Sequence, residues 1–243
     1  MKCKKIHLQT IPSTNAFAKE NYLSFDPKLI TLITAEEQTE GIGKFNRSWH
    51  SPKGENIYAT FCFRLPKDTL HSTSISNLLA LSLCQILIDL DFTPQVKWPN
   101  DIFLNDKKVS GVLCETLFEN NETIFFLGIG INVNMEKAEL VKIDQPATSL
   151  KQERNTHFDI DELVNKLEKR FCKNLATFQK EGFFPFHDPF QNLLLYKGEM
   201  VTLETKGTKI QGILHSITVE GMVNLCLKNH EIQSYSSGTL RKL

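Results

Sequence analysis

Two short stretches carry residue types able to do chemistry together: Lys97-Trp98-Pro99-Asn100-Asp101 and Lys108-Val109-Ser110-Gly111-Val112-Leu113-Cys114-Glu115. Each sets a lysine beside a strand-like run with Asn, Asp or Gly close by, the equipment needed to hold a phosphate, a metal ion and a carboxylate in one place. Gly111 lets a ligand approach the backbone near Lys108. Pro99 fixes its own φ and pushes Trp98 toward an extended backbone, so Asn100 and Asp101 emerge in a defined direction. Asp101 could hold Mg²⁺ or orient an attacking amine, Asn100 could contact phosphate or metal-bound water, and Lys97 could offset phosphate charge. Taken alone, the same residues also read as a solvated hairpin lysine and an Asx turn closing a strand.

Two glycine-bearing stretches flank these. Upstream, Gly41-Ile42-Gly43-Lys44-Phe45-Asn46-Arg47-Ser48-Trp49 has the make-up of a mobile basic loop. It is neither a P-loop, since Gly-x-x-x-x-Gly-Lys-Ser/Thr is missing, nor a dinucleotide fingerprint, since Asn46 stands where the third glycine belongs. Downstream, Gly128-Ile129-Gly130-Ile131-Asn132-Val133-Asn134 alternates as a strand, with both glycines on one face and the apolar residues on the other. Glycines on a strand face leave room for a ligand, or for tight packing of another element.

In this order the four stretches resemble the biotin protein ligases, for which Lys-Trp-Pro-Asn-Asp is a signature, and the resemblance runs from about Ser13 to the C-terminus. It implies a ligase that joins biotin to ATP as biotinoyl-5′-AMP with Mg²⁺ present. The biotinoyl group then passes to a lysine on the biotin carboxyl carrier domain of a carboxylase. Such a transition state accumulates negative charge on oxygen, which fixed cations stabilise. The resemblance makes Lys108, Asp101, Lys97 and Arg47 catalytic, with Asp101 also the Mg²⁺ ligand. It places Ser13, Thr14, Asn15, Gln38, Gly41, Ile42, Gly43, Lys44, Trp49, Lys108 and Gly111 around biotin, and Lys44, Arg47, Lys97, Asn100, Lys108 and Asn132 around ATP. Ser13-Thr14-Asn15 would by themselves serve as a helix cap. Ile42 and Lys44 stand where the family usually has arginines, and an ammonium lacks the bidentate fork of a guanidinium. A lipoate protein ligase shares the two-step logic and is the alternative; a biotin-binding regulator without ligase activity is another.

The elements needed to position these residues are those of an α+β fold. Helices are expected from Ser13 to Asn21, from Ser74 to Leu90, and after the Asp159/Glu162 capping box, where Leu163, Leu167, Phe171, Leu175 and Phe178 mark one face. Strand-like runs cover Leu29 to Ile33, Ile57 to Phe63, Ile102 to Leu104, Val109 to Cys114 and Thr123 to Val133, with Asn105-Asp106 turning a hairpin whose mouth carries Lys108. The resemblance implies a mixed β-sheet flanked by helices, like a class II synthetase, as a catalytic domain over 1–195. A small SH3-like β-barrel over 196–243 is expected to lean on it.

Bulk properties bound the partners. Lys plus Arg and Asp plus Glu both number 28, so no global basic field gathers nucleic acid or anionic membrane. Ser13-Thr14-Asn15 follows only twelve residues, too few for a helix-turn-helix, so a short form without a DNA-binding domain is expected. Six cysteines lie far apart, mostly in apolar runs, with no zinc spacing. Met1-Lys2-Cys3-Lys4-Lys5 leads into a stretch too polar for a signal peptide, and the longest apolar run, 124–131, is short of a membrane span. The expectation is a cytoplasmic monomer or homodimer.

Overall fold

The computed structural model describes residues 2–243. Its first part runs β1 (Cys3–Ile11), α1 (Thr14–Asn21), β2 (Ile30–Gln38), β3 (Asn56–Pro66), α2 (Ile75–Asp89), β4 (Gln95–Lys97), β5 (Asp101–Leu104), β6 (Lys107–Glu119) and β7 (Glu122–Asn132). These seven strands form one mixed sheet in the order β1-β2-β3-β7-β6-β5-β4, in which only β1 and β2 pair in parallel. There follow α3 (Lys137–Leu140), α4 (Leu150–Arg154), α5 (Ile160–Glu181) and α6 (Phe184–Gln191).

Residues alternate across the sheet. Ile57, Ala59, Phe61 and Phe63 of β3, with Ile129 and Ile131 of β7, turn to the side covered by α2 and α5 and join one large buried cluster. The stretch Ser72–Asp89 is long and apolar enough to cross a membrane by composition, but 67% of it is buried inside the fold as a core helix. The Asp159 side chain caps α5 by accepting from Glu162 N at 3.0 Å, and the predicted apolar face from Leu163 to Phe178 is buried. The helix stops at Gly182, whose φ of 63° suits glycine. On the other side of the sheet α1 covers part of the surface, packing Ala18 against Ile33, Cys62, Ile124 and Phe126. The rest of that face lines a cavity with the 41–49 loop.

Several elements were not expected from the sequence: β1, β4, α3, α4 and α6. β1 is an edge strand whose outward residues are polar, so its alternation is weak. α6 contains Pro185 in its first turn and Pro189 inside, residues that normally argue against a helix.

The C-terminal strands are β8 (Met200–Thr205), β9 (Thr208–Ile217), β10 (Val223–Cys226), β11 (Ile232–Tyr235) and β12 (Thr239–Lys242). They make a five-stranded antiparallel sheet in the order β11-β10-β9-β8-β12. Among the described residues no pairing joins β11 to β12, so the sheet stays open where a barrel would close. It does lean on the larger sheet: Trp98 Nε1 donates to Gly221 O at 2.9 Å and Ser74 Oγ to Val219 O at 2.5 Å. Val201, Leu203, Leu214 and Leu240 belong to the same buried cluster as α2.

Candidate active site

Cross-strand register gathers the site on the half-open face. Lys97 pairs with Asp101, Asp101 with Gly111, Gly111 with Gly130, and Gly130 with Tyr58. Residues directly opposite one another share a face. The two motifs and the glycine strand are therefore one row across four strands, although they span positions 97 to 130. Asn100 and Asp101 follow the cis Trp98–Pro99 bond.

Lys108 reaches this row through an irregularity. Asn105 and Asp106 both take positive φ, as a two-residue primed turn requires. Beyond it Phe103 pairs with Lys108 but Ile102 with Ser110, leaving Val109 unopposed as a β-bulge. Without that extra residue Lys108 would point to the opposite face from Gly111. With it, Lys108 Nζ lies 2.8 Å from Asp101 Oδ1, and its side chain is only 13% exposed. The reading of a solvated hairpin lysine is thereby corrected. The same ammonium lies 5.2 Å from the Trp49 ring centre. Trp49 lies flat on the glycines: a Cβ on Gly130 would come within 2.4 Å of its ring and one on Gly111 within 3.3 Å.

Next to this row is an uncharged recess. Ser13 caps α1, its Oγ accepting from Ala16 N at 3.4 Å, and also lines the cavity. Gln38 Oε1 accepts from Thr14 N at 2.8 Å and Thr14 Oγ1 at 3.1 Å, while Gln38 Nε2 donates to Ser51 Oγ at 3.3 Å. Asn15 lies under Gly128, where a Cβ would approach its Oδ1 to 2.4 Å.

The loop forms the third wall. It is a small hairpin with an Ile42–Ser48 bridge, Trp49 N donating to Gly41 O at 2.8 Å. Gly41 is required there, since a Cβ would meet Ser51 Oγ and Trp49 O at 2.6 Å. Phe45 and Asn46 take left-handed conformations unusual for non-glycine residues. Lys44, Arg47, Lys97 and Lys108 all line the cavity against a single carboxylate, Asp101. Burial pushes the Lys44 amine below the usual lysine range, with Asp101 pulling the other way. Lys97 is shifted likewise by burial, opposed by Asp101.

Ile42, Gly43, Asn100 and Gly111 also line the cavity, but Asn132 does not. Asn132 is 2% exposed and donates to Thr148 O at 3.0 Å, its Oδ1 buried without a partner. Gly41 acts behind the wall. Among the described residues no cluster of three or more His, Cys, Asp or Glu side chains could hold a metal. Asp101, already paired with Lys108, therefore does not make a protein-only Mg²⁺ site.

The sequence reading missed Thr60, Ser51 and Glu115, which hold the recess, and Gly238 and Thr239, which bring the C-terminal sheet to the cavity rim. Glu115 shares a face with Gly111 and Leu113 by simple alternation, a signal that was available. Thr60 is the one aliphatic hydroxyl in an apolar run and could have been noticed for that. Nothing in the sequence brings residue 239 to residue 97.

A recess of uncharged donors and acceptors opening onto four cations suits a molecule with a neutral polar head and an acid tail that meets a polyphosphate. That is the layout of an acid-activating ligase. The family model described as the biotin/lipoate A/B protein ligase family matches residues 7–134, and the chain belongs to that family. It is 29% identical over 220 residues to the bifunctional ligase/repressor BirA of Escherichia coli, covering 90% of this chain and 68% of that protein. The biotin–[acetyl-CoA-carboxylase] ligase of Paracoccus denitrificans is 28% identical over 201 residues, covering 79% of this chain and 82% of its own. The chain spans 60% of the BirA protein of Salmonella typhimurium. Among solved structures, the biotin protein ligase from Aquifex aeolicus in complex with biotin and ATP superposes with a TM-score of 0.84 at 29% identity, covering 99% of both chains.

Proposed function

We propose that this chain activates biotin with ATP, forming biotinoyl-5′-AMP and pyrophosphate, and passes biotin to a lysine on the biotin carboxyl carrier domain of a carboxylase. The observation that carries this is the two-ended cavity: Thr14, Asn15 and Gln38 at one end, with Lys108, Lys97, Lys44 and Arg47 at the other. A ureido ring offers two N–H donors and one carbonyl, which the first set can satisfy. Its valeryl carboxylate then reaches the cations, where Lys108 leaves Asp101 to pair first with the acid and then with the α-phosphate. Four cations facing one carboxylate give a field suited to a triphosphate. Mg²⁺ would enter on the ATP phosphates, with Asp101 as the one lining carboxylate able to join it or to orient the incoming amine.

We take residues 1–195 as the catalytic unit and 196–243 as an appended sheet closing its rim. The lipoate reading is kept for one reason, that the matching family model spans both activities. Lipoate carries an apolar dithiolane where biotin carries the ureido group. It would leave the recess unpaired, and a site built to hydrogen-bond rejects such an analogue by as much as ~10⁴–10⁵. The test is pyrophosphate–ATP exchange without acceptor, driven by each acid in turn. Exchange with biotin alone supports the proposal, and equal exchange with lipoate overturns it. We propose no nucleic-acid partner, given the balanced charge; a salt-sensitive, sequence-specific mobility shift would contradict that.

A further inference from the structure

We infer that Glu115 is a specificity-determining positioning residue: it fixes the amide of Asn15 so that this side chain shows the ligand a hydrogen-bond acceptor and not a donor. The inference rests on the biotin-ligase reading and refines it.

Glu115 sits on β6 two alternations beyond Gly111, opposite Phe126 of β7, and faces α1. Asn15 Nδ2 lies 3.0 Å from Glu115 Oε2 and 3.4 Å from Phe126 O, and Asn15 Oδ1 lies 2.5 Å from Thr60 Oγ1. Thr60, fully buried, is in turn 2.9 Å from Thr14 Oγ1. Lys19, one turn along α1 from Asn15, reaches Glu115 Oε1 at 2.8 Å.

Counting protons gives the direction of this chain. An ionised carboxylate accepts only, so the Asn15 NH₂ must face Glu115. Both of its protons are then used, by Glu115 and by the Phe126 carbonyl. Oδ1 therefore faces Thr60, whose single proton it takes. Thr14 Oγ1, at 2.9 Å, is a second acceptor within reach of Thr60, its own proton being given to Gln38 Oε1, but the Asn15 oxygen is nearer at 2.5 Å and takes the Thr60 proton. The ion pair with Lys19 helps to keep Glu115 charged: burial pushes its carboxyl up, but the bonds from Lys19 and Asn15 outweigh this and hold it below the usual carboxylate range. What remains free on Asn15 is one lone pair of Oδ1, and Asn15 lines the cavity. A lone acceptor there recognises a ring N–H. Neutralising Glu115 removes the strong acceptor, so the amide can turn and point its NH₂ into the cavity, where it would meet a ring N–H donor to donor.

The experiment compares Glu115→Gln with wild type in three readouts: calorimetric binding of biotin without ATP, exchange kinetics, and thermal melting. Gln keeps shape and size, and the site is partly exposed, so the fold is retained. Biotin affinity should fall, and the KM for biotin rise, by at least about tenfold, with kcat and the KM for ATP near wild type. Combined with Asn15→Ala, the Gln variant should cost nothing further, because its effect passes through that side chain. If Glu115→Gln melts far below wild type, Thr60→Val removes the donor that reads the same amide from the other side and carries the same expectation. A wild-type protein that binds and turns over biotin beside a Gln variant with unchanged affinity overturns the role of Glu115 alone. A wild type that neither binds biotin nor supports exchange overturns the ligase reading, and this inference with it.

Discussion

Gly130→Ala tests the site's construction without touching a charged group. The added Cβ would lie 2.4 Å from Trp49 Cε2, 2.5 Å from Nε1 and 2.7 Å from Cζ2. Ordinary carbon–carbon contact begins near ~3.5 Å, so about 1 Å of movement is required. β7 cannot supply it, because β3 pairs along its whole length on one side and β6 on the other. The indole must retreat, and it is the wall against which Lys108 rests at 5.2 Å. Overpacking costs about 1–3 kcal/mol of stability. A displacement near 1 Å of the group that places Lys108 should lower catalysis by roughly a hundredfold. Biotin-dependent pyrophosphate–ATP exchange measures this, with a thermal melt to confirm folding. Because the effect passes through Trp49, the double variant with Trp49→Ala should be no slower than Trp49→Ala alone. Exchange within about twofold of wild type in a folded Gly130→Ala protein would refute the claim that the indole positions the lysine.

Lys108→Ala should lower exchange about a hundredfold to a thousandfold, roughly 2.7–4 kcal/mol, while the protein stays folded, since its loss frees Asp101 to solvent on one side; near-normal exchange would remove Lys108 from the chemistry. Lys44→Gly should let biotinoyl-5′-AMP escape and label lysines on an unrelated protein more than wild type does; equal labelling counts against retention by Lys44. Burial depresses the Lys44 amine, and a bound phosphate favours its charged form, so the bound value lies above the free one. Affinity for ATP is then intact below the free value and lost as pH rises toward the bound one. The KM for ATP should climb on the alkaline side earlier than an ordinary lysine allows, and Lys44→Arg should flatten that rise; superimposable profiles would reject the assignment.

Local patterns were legible because their periods are set within a few residues. The cap at Asp159, the apolar face of α5 and the shared face of Gly128 and Gly130 follow from side-chain chemistry and the repeats of 3.6 and 2. Many of the residues lining the cavity were legible too, since glycine, lysine and carboxamide types state what each can do. What the chain could not state locally was how distant strands align. The bulge at Val109 exists only in the pairing of β5 with β6, and it alone turns Lys108 to the face of Asp101. Asn132, read as a nucleotide contact, does not line the cavity: it is buried at the end of β7 with its Nδ2 donating to Thr148 O. Thr60 and Glu115 reach Asn15 across separations of 45 and 100 residues, and Thr239 reaches the rim only because the C-terminal sheet packs on Trp98. Register and docking are settled by the burial of whole faces at once, so they become visible only when the faces meet.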